Sequence, residues 1–320
     1  MILTLIQVLF DVILLLWDTV VFFALSTYYI LEALFLTVLP TCLRPVEDLS
    51  GRIALVTGGG GGVGRQLALQ LARLKVTVVV WDVNKYAIEK TCELVSSEGL
   101  KIHGYTVDLA DRKAVYKTAD LVRNEVGPVD ILINNAGVVY GRTLMDLEDF
   151  MIENTYKVNI LSHYWTTRSF LGDMIDAGRG HIVTVASVAG LLGTYRCTDY
   201  SGTKFAAVGF HESLYTELQT HGHTNIHATL VCPYYINTGM FAGAKPRLMP
   251  MLEPHEVATK IISSIQLKEV NCIMPSSMRY LLPLKCLLPA KMCWTLMYRV
   301  IRGPQSMMTF RGHNKIEYTQ

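Results

Sequence analysis

Five consecutive glycines, Gly58–Gly62, lie between a short apolar run and a helical pattern, and this junction constrains the chain more than any other feature. Ile53–Thr57 has the make-up of a strand, and Val63–Leu74 has the apolar spacing of a helix. The turn between them is Thr57-Gly58-Gly59-Gly60-Gly61-Gly62-Val63-Gly64. Glycines let the backbone approach a pyrophosphate closely, and the helix that follows offers unpaired N–H groups at its positive end. A glycine run alone would fit any flexible loop. Between a strand and a helix it stands where phosphate binding requires it.

The alternation continues downstream. Lys75–Trp81, Ile102–Val107, Val129–Ile133, His181–Ala186 and Ile226–Val231 read as strands, and Asn84–Glu98, Arg112–Val126 and Asp199–His221 as helices. Strands separated by helices imply parallel βαβ crossovers, so the expected fold is α/β, a Rossmann-like doubly wound parallel sheet. No repeat or low-complexity linker interrupts 45–275, which is expected to be a single domain. A hydrophobic segment, 1–44, precedes it, and a basic, apolar extension, 276–320, follows.

Hydrophobic residues make up 51% of the chain and charged residues 18%, against roughly 25% charged in an ordinary soluble domain. The excess is concentrated at the two ends. Residues 2–39 are almost continuously apolar, and the first positive charge is Arg44, which disfavours a cleaved secretory signal. Asp11, Asp18 and Glu32 are spaced by multiples of seven residues, so on a helix they share one stripe. Two membrane arrangements fit, a long helix or bent helical hairpin lying in one leaflet with its carboxylates to water, or a true span; a buried or interchain helix is the third alternative. The first two make the segment a membrane anchor, and after a span Arg44 favours a cytosolic domain. Residues 275–320 carry seven Lys or Arg against Glu317 alone. Cations among apolar residues suit anionic lipid rather than nucleic acid, and a simply solvated tail is the plainer alternative. The seven cysteines are scattered, contain no CxxC pair and suggest reduced thiols, with no metal site implied.

Chemistry-bearing residues cluster in the pattern. Asp82 closes the second strand, where a carboxylate accepts hydrogen bonds from adenosine ribose hydroxyls; a helix N-cap is its ordinary alternative role. The same carboxylate repels a 2′-phosphate, and Val83 follows it, so NAD is expected over NADP. Tyr200 and Lys204 are one helical turn apart, and Ser187 lies thirteen residues before Tyr200, just after a strand. Asn159 lies in a long helical stretch. An ammonium beside a phenol is expected to lower its pKa, so that Tyr200 can exchange a proton as an alcohol and carbonyl interconvert.

These residues closely resemble the short-chain dehydrogenase/reductase superfamily over about residues 50–275. Thr57-Gly58-x-x-x-Gly62-x-Gly64 resembles its cofactor loop, Asn134-Asn135-Ala136-Gly137 its strand-four motif, and Ser187 with Tyr200-Ser201-Gly202-Thr203-Lys204 its active site. The resemblance implies that Ser187 polarises the substrate oxygen and Tyr200 is the acid/base. It implies that Lys204 holds the nicotinamide ribose and Asn159 completes a water-linked proton relay. Cofactor contacts are implied for Gly58, Gly62, Val63, Gly64, Asp82, Asp108, Asn135, Ala136, Gly137, Pro233 and Thr238, with Tyr200 and Lys204. One departure is Tyr234-Tyr235 after Pro233, where many members have glycine; two rings there would narrow the site.

The hydrophobic N-terminus, Val80–Lys85, Ile131–Val138, Phe205–Phe210 and Thr238–Phe241 are similar to the membrane-bound branch of epidermal retinol and lipid-droplet 17β-hydroxysteroid dehydrogenases. That branch implies a lipophilic alcohol or carbonyl substrate, with retinol/retinal first and steroids or long-chain alcohols as alternatives. It also implies a homodimer and the endoplasmic reticulum or lipid droplet as location. Two other readings compete: a non-catalytic lipid-droplet interaction protein, and a tethered reductase of soluble substrates. The intact Ser187, Tyr200 and Lys204 count against the first, and the apolar stretch Tyr280–Ile301 against the second.

Overall fold

The computed structural model describes residues 2–39, 45–247 and 249–312, and the chain divides into two compact units, Met1–Val46 and Glu47–Gln320. Arg44, Cys42, Lys315 and Glu317 therefore lie outside the described residues.

The first unit is one unbroken helix, α1 (Ile2–Val38), which replaces the bent hairpin among the expected arrangements. At about 1.5 Å per residue it is roughly 56 Å long, well over the ~30 Å hydrocarbon core of a bilayer. Thr4–Phe35 is long and apolar enough to cross a membrane, with mean hydropathy 2.3. Its polar groups are satisfied locally. Gln7 donates to Asp11 at 3.1 Å, the Tyr28 hydroxyl lies 3.5 Å from Glu32, and Thr19 and Thr27 donate to carbonyls one turn back. Bonding of this kind lets hydroxyls sit in an apolar helix without stranded donors.

The second unit is built on seven parallel strands in the order β3-β2-β1-β4-β5-β6-β7. They are β1 (Ile53–Thr57), β2 (Thr77–Asp82), β3 (Ile102–Thr106), β4 (Ile131–Asn134), β5 (Gly180–Val185), β6 (Ile226–Pro233) and β7 (Asn271–Met274). The first six match the strands read from the pattern to within two residues; β7 is too short for its alternation to register. The main helices are α2 (Gly62–Arg73), α3 (Lys85–Ser96), α4 (Arg112–Glu125), α5 (Asp149–Tyr156), α6 (Ser162–Ala177), α7 (Thr198–Thr220) and α8 (Pro254–Gln266).

Alternate residues of each strand face opposite layers. Val78 and Val80 of β2 join Leu67 and Leu71 of α2 and Ile261 of α8, while Val79 and Trp81 join Phe170 and Met174 of α6 and Leu214 of α7. Helices on both faces explain why the inner strands β1, β2 and β4 are nearly continuous in apolar residues, whereas the edge strand β3, Ile-His-Gly-Tyr-Thr, is not. The order reverses between β1 and β4, and a crevice opens there at the carboxyl edge of the sheet.

Beyond β7 the chain forms the short helices α9 (Met278–Leu281), α10 (Leu284–Leu287) and α11 (Ala290–Thr295), separated by Pro283 and Pro289, and then a π-helical turn, Leu296–Ile301. The following segment returns to the domain and buries Met307 and Phe310. It is pinned by Lys245 N–H donating to the Ser306 carbonyl and by Arg311 N–H donating to Ala242.

Two buried histidines make the fold acid-sensitive. Burial pushes both His163 and His181 down to about 3 from 6.5, so the folded state keeps them neutral while the unfolded chain would protonate them. No stability is lost from this source above pH 6.5, and it is lost progressively as pH falls from 6.5 towards 3. Chemical denaturation between pH 7 and 4.5 should show stability falling by about 1.4 kcal/mol per pH unit for each histidine once well below 6.5. A flat profile over that range would contradict buried, neutral imidazoles.

Candidate active site

The site grows from the junction of β1 and α2. Gly58 (φ +67) and Gly62 (φ +37) adopt left-handed backbone. A Cβ at Gly64 would collide with the Gly58 carbonyl, and one at Gly60 would come within 2.9 Å of the Asp82 carboxylate. Asp82 accepts from Gly60 N–H at 3.0 Å through one oxygen and from Asn84 N–H at 3.0 Å through the other. The N-cap of α3 is Asn84, whose side chain accepts from Ala87 N–H at 3.1 Å. Asp82 is thus not the cap; it braces the glycine loop.

Arg65, passed over in the sequence, is the nearest cation to this loop. Its guanidinium donates to the Gly60 carbonyl and to Thr91, and it does not line the crevice. Val83, half-exposed, does line it.

Thr57 ties β1 to β4. Its hydroxyl accepts from the N–H groups of Asn135 and Ala136 at 2.9 and 3.1 Å, and the Asn135 amide donates to the Thr57 carbonyl at 2.9 Å. Asn159 extends the bracing. Its amide accepts from Val138 N–H at 2.8 Å and donates to the Val138 carbonyl and to Thr203. It sits in a π-helical turn, Lys157–Leu161, between α5 and α6, a distortion frequent at functional sites.

Ser187 follows β5. Its hydroxyl donates to the Pro233 carbonyl at 3.3 Å and accepts from Ala189 N–H at 3.1 Å, and the side chain lines the same cleft as Tyr200. Lys204, one turn after Tyr200 on α7, places its Nζ 5.6 Å from the Tyr200 ring centre and donates to the Val185 carbonyl at 2.8 Å. Both side chains are almost wholly buried.

The electrostatics differ from the expectation. Burial pushes the Tyr200 phenol well above its usual value, the nearby Cys197 adds to this, and the Ser187 hydrogen bond works in the opposite sense. Burial also brings Lys204 down to about 8. With Lys204 held by Val185, desolvation outweighs the ammonium's pull on the phenol. Burial thus favours the protonated phenol.

One cleft of about 580 Å³ is lined by all thirteen residues expected to contact a cofactor, from Gly58, Gly62, Val63 and Gly64 through Asp82, Asp108, Asn135, Ala136 and Gly137 to Tyr200, Lys204, Pro233 and Thr238. Asn159 stands behind this wall, not in it. A second, mostly apolar cavity of about 240 Å³ shares only Ser187, Tyr200, Tyr234 and Phe241 with the first. Its far wall comes from the C-terminal segment, including Leu281, Leu288, Trp294 and Met297. Tyr234 and Tyr235 stand edge-to-face at 4.7 Å, and Phe241 packs against Tyr235, Tyr200 and Phe310. Of the two tyrosines that replace glycine, Tyr234 stands at the junction and Tyr235 lines only the apolar cavity. Phe241 lay in the Thr238–Phe241 stretch of the resemblance without a role, and Phe310 carried no motif.

A seven-stranded parallel sheet with a glycine loop at its switch point and a buried Ser-Tyr-Lys group defines the class. The chain belongs to the short-chain dehydrogenase family, whose model matches residues 52–248. It is 41% identical over 275 residues to human (Homo sapiens) epidermal retinol dehydrogenase 2, covering 85% of this chain and 88% of that one. It is 41% identical over 245 residues to estradiol 17-beta-dehydrogenase 11 of Pongo abelii, covering 77% and 82%. Among solved structures, a short-chain dehydrogenase/reductase from Burkholderia phymatum in complex with NAD is similar with a TM-score of 0.70 and 26% identity, covering 75% of this chain and 95% of that one. The protein is an oxidoreductase acting on the CH–OH group of a small molecule with a nicotinamide cofactor.

Replacing Tyr200 with Phe keeps the ring that packs on Phe241 and removes only the hydroxyl. Turnover should fall by about 10²–10⁴-fold, the range for loss of a general acid/base, while NADH binding measured by fluorescence changes little. A variant retaining most of its kcat would remove Tyr200 from the chemistry.

Proposed function

We propose that this chain is an NAD(H)-dependent dehydrogenase that interconverts a lipophilic alcohol and its carbonyl, retinol/retinal first. In this reading α1 holds it at the endoplasmic reticulum membrane or a lipid droplet, with the second unit facing the cytosol. The observation that carries it is the meeting, at Ser187 and Tyr200, of the cleft lined by the expected cofactor residues and a second, apolar cavity. A hydroxyl projecting from a greasy molecule in that cavity would reach the only reacting groups the two spaces share.

The dinucleotide, when bound, supplies or accepts the hydride. The chain's residues do the rest. Ser187 hydrogen-bonds the substrate oxygen and Tyr200 gives it a proton in the reducing direction or takes one in the oxidising direction. Lys204 favours the phenolate when it forms. Asn159 holds the Gly137–Val138 loop against α7 through its bonds to Val138 and Thr203.

NAD is favoured by the position of Asp82 and by Arg65 turning away from the cleft. Asp82→Ala combined with Val83→Arg removes the repulsion and offers a phosphate partner, so the ratio of kcat/KM for NADP over NAD should rise by at least about tenfold. A wild-type enzyme already preferring NADP would sink this assignment.

The steroid reading has its own support in the likeness to an estradiol 17-beta-dehydrogenase. Membranes carrying the protein should be incubated with NAD and retinol, estradiol and a long-chain alcohol in parallel. Aldehyde formation fastest from retinol supports the proposal, ketone formation fastest from estradiol replaces it with the steroid reading, and no turnover on any of the three rejects a lipid-alcohol function.

The C-terminal extension supports substrate entry from a lipid surface. Between Glu269 and Glu317 there is no acidic residue, while Arg279, Lys285, Lys291, Arg299, Arg302 and Arg311 lie among exposed Tyr280, Leu287, Met292 and Val300. Deleting residues 1–43 should leave weak binding to acidic liposomes that salt removes, since each cation near an anionic leaflet contributes about 1 kcal/mol and is screened. The full-length protein should stay bound at high salt; its release by salt would refute α1 as the anchor.

A further inference from the structure

Helices cover both faces of this sheet with apolar side chains, yet a polar seam is buried between β4–β5 and α6. Asn134, Asn159, His163, Thr166 and Thr184 are all at most 1% exposed. Most of the seam is internally satisfied: Thr166 donates to Asn134 at 2.7 Å, and Asn159 is bound on both sides by Val138 and Thr203. His163 and Thr184 are the exceptions. Neither ring nitrogen of His163 and no atom of the Thr184 hydroxyl finds a protein partner.

The location gives this orphaned imidazole meaning. His163 stands one helical turn beyond Asn159, just past the π-helical turn, and the Asn159 Oδ1 and the Lys204 Nζ flank the same point beside Gly137, 3.5 and 3.8 Å from where a Cβ there would lie. Thr184 immediately precedes Val185, whose carbonyl holds the Lys204 ammonium. That ammonium has three N–H donors, and Val185 takes one of them. A phenyl ring would pack against Phe210, 6.1 Å away, without leaving polar atoms unpaired. A neutral imidazole offers one donor and one acceptor, and buried polar groups of this kind are met by ordered internal water.

We propose that His163 is a positioning residue for Lys204: it holds internal water that hydrogen-bonds the ammonium, giving Lys204 a second anchor besides the Val185 carbonyl. The inference rests on the assignment of Ser187, Tyr200 and Lys204 as the reacting group. It adds a residue that touches neither substrate nor dinucleotide.

Full-length His163→Phe and His163→Gln variants test it on any alcohol that the wild type oxidises. Phe keeps the bulk and loses both polar atoms; Gln restores a donor and an acceptor. His163→Phe should lower kcat by about tenfold or more with KM for alcohol and cofactor and the melting temperature little changed, and it should alter the solvent deuterium isotope effect on kcat. His163→Gln should recover most of the rate and the wild-type isotope effect. Equal losses in both variants, a loss that merely tracks melting temperature, or a wild-type rate in His163→Phe would each overturn the proposal. A high-resolution crystal structure of the cofactor complex decides it independently of turnover. An ordered water within hydrogen-bonding distance of a His163 ring nitrogen is expected there, and a dry imidazole overturns it. A wild-type protein that oxidises nothing offered would instead fail the proposed function.

Discussion

The Thr57 hydroxyl joins the two halves of the sheet where the strand order reverses. It accepts from two successive N–H groups of the β4 loop, and the Asn135 amide returns the bond to the Thr57 carbonyl. Parallel strands end with unpaired backbone groups, and at a switch point they diverge with nothing between them. By cross-linking the divergence, Thr57 fixes the start of the glycine loop on one side and Asn135–Gly137 on the other. Asp82 then braces the loop from β2, and Asn159 braces the Gly137–Val138 turn from α5–α6. Each cleft wall is thus hydrogen-bonded to a neighbouring element, by Asp82 and Asn135 from within the lining and by Asn159 from behind it.

Burial shapes the chemistry as strongly as placement does. Placing Tyr200 and Lys204 out of water raises the phenol and lowers the ammonium, so the pair resists separating charge. In the proposed reaction the phenolate would then have to be favoured by what binds in the cleft, where Ser187 and Tyr200 stand together.

Much of this was legible in the sequence, for identifiable reasons. Local signals transmitted well: the glycine run, the i,i+4 spacing of Tyr200 and Lys204, and the apolar runs of the inner strands. The fold class followed from them, while most of the thirteen expected residues now found lining the cleft came from the family resemblance. Properties set by distant contacts did not transmit. Asp82 and Asn84 are equally good caps by composition, and only the geometry gives the cap to Asn84. The direction of the Tyr200 shift depends on desolvation, which no spacing reveals. Phe241 and Phe310 meet at 5.5 Å across a sequence gap that carries no pattern.

The C-terminal segment presents different faces to different surroundings, and this bears on how a greasy substrate could reach a buried tyrosine. Leu281, Leu288, Trp294 and Met297 wall the apolar cavity, while Tyr280, Leu287, Met292 and Val300 of the same segment face outward. Pro283 and Pro289 break it into pieces too short to be stable alone. Isolated short helices of this kind keep their shape through what they pack against, so their inner contacts with the cavity and their outer contacts with a lipid surface would compete for the same few turns. At its end, Met307 and Phe310 are buried and Ser306 and Arg311 are tied by backbone bonds to the Ala242–Lys245 stretch. The segment before that end is held as well, Lys285 donating to the Leu191 carbonyl at 3.0 Å and lying over the Phe205 ring. In the proposed reading, a lipid-dissolved substrate would meet outer side chains that resemble its solvent and inner ones that resemble the cavity, with Ser187 and Tyr200 as polar groups of its lining.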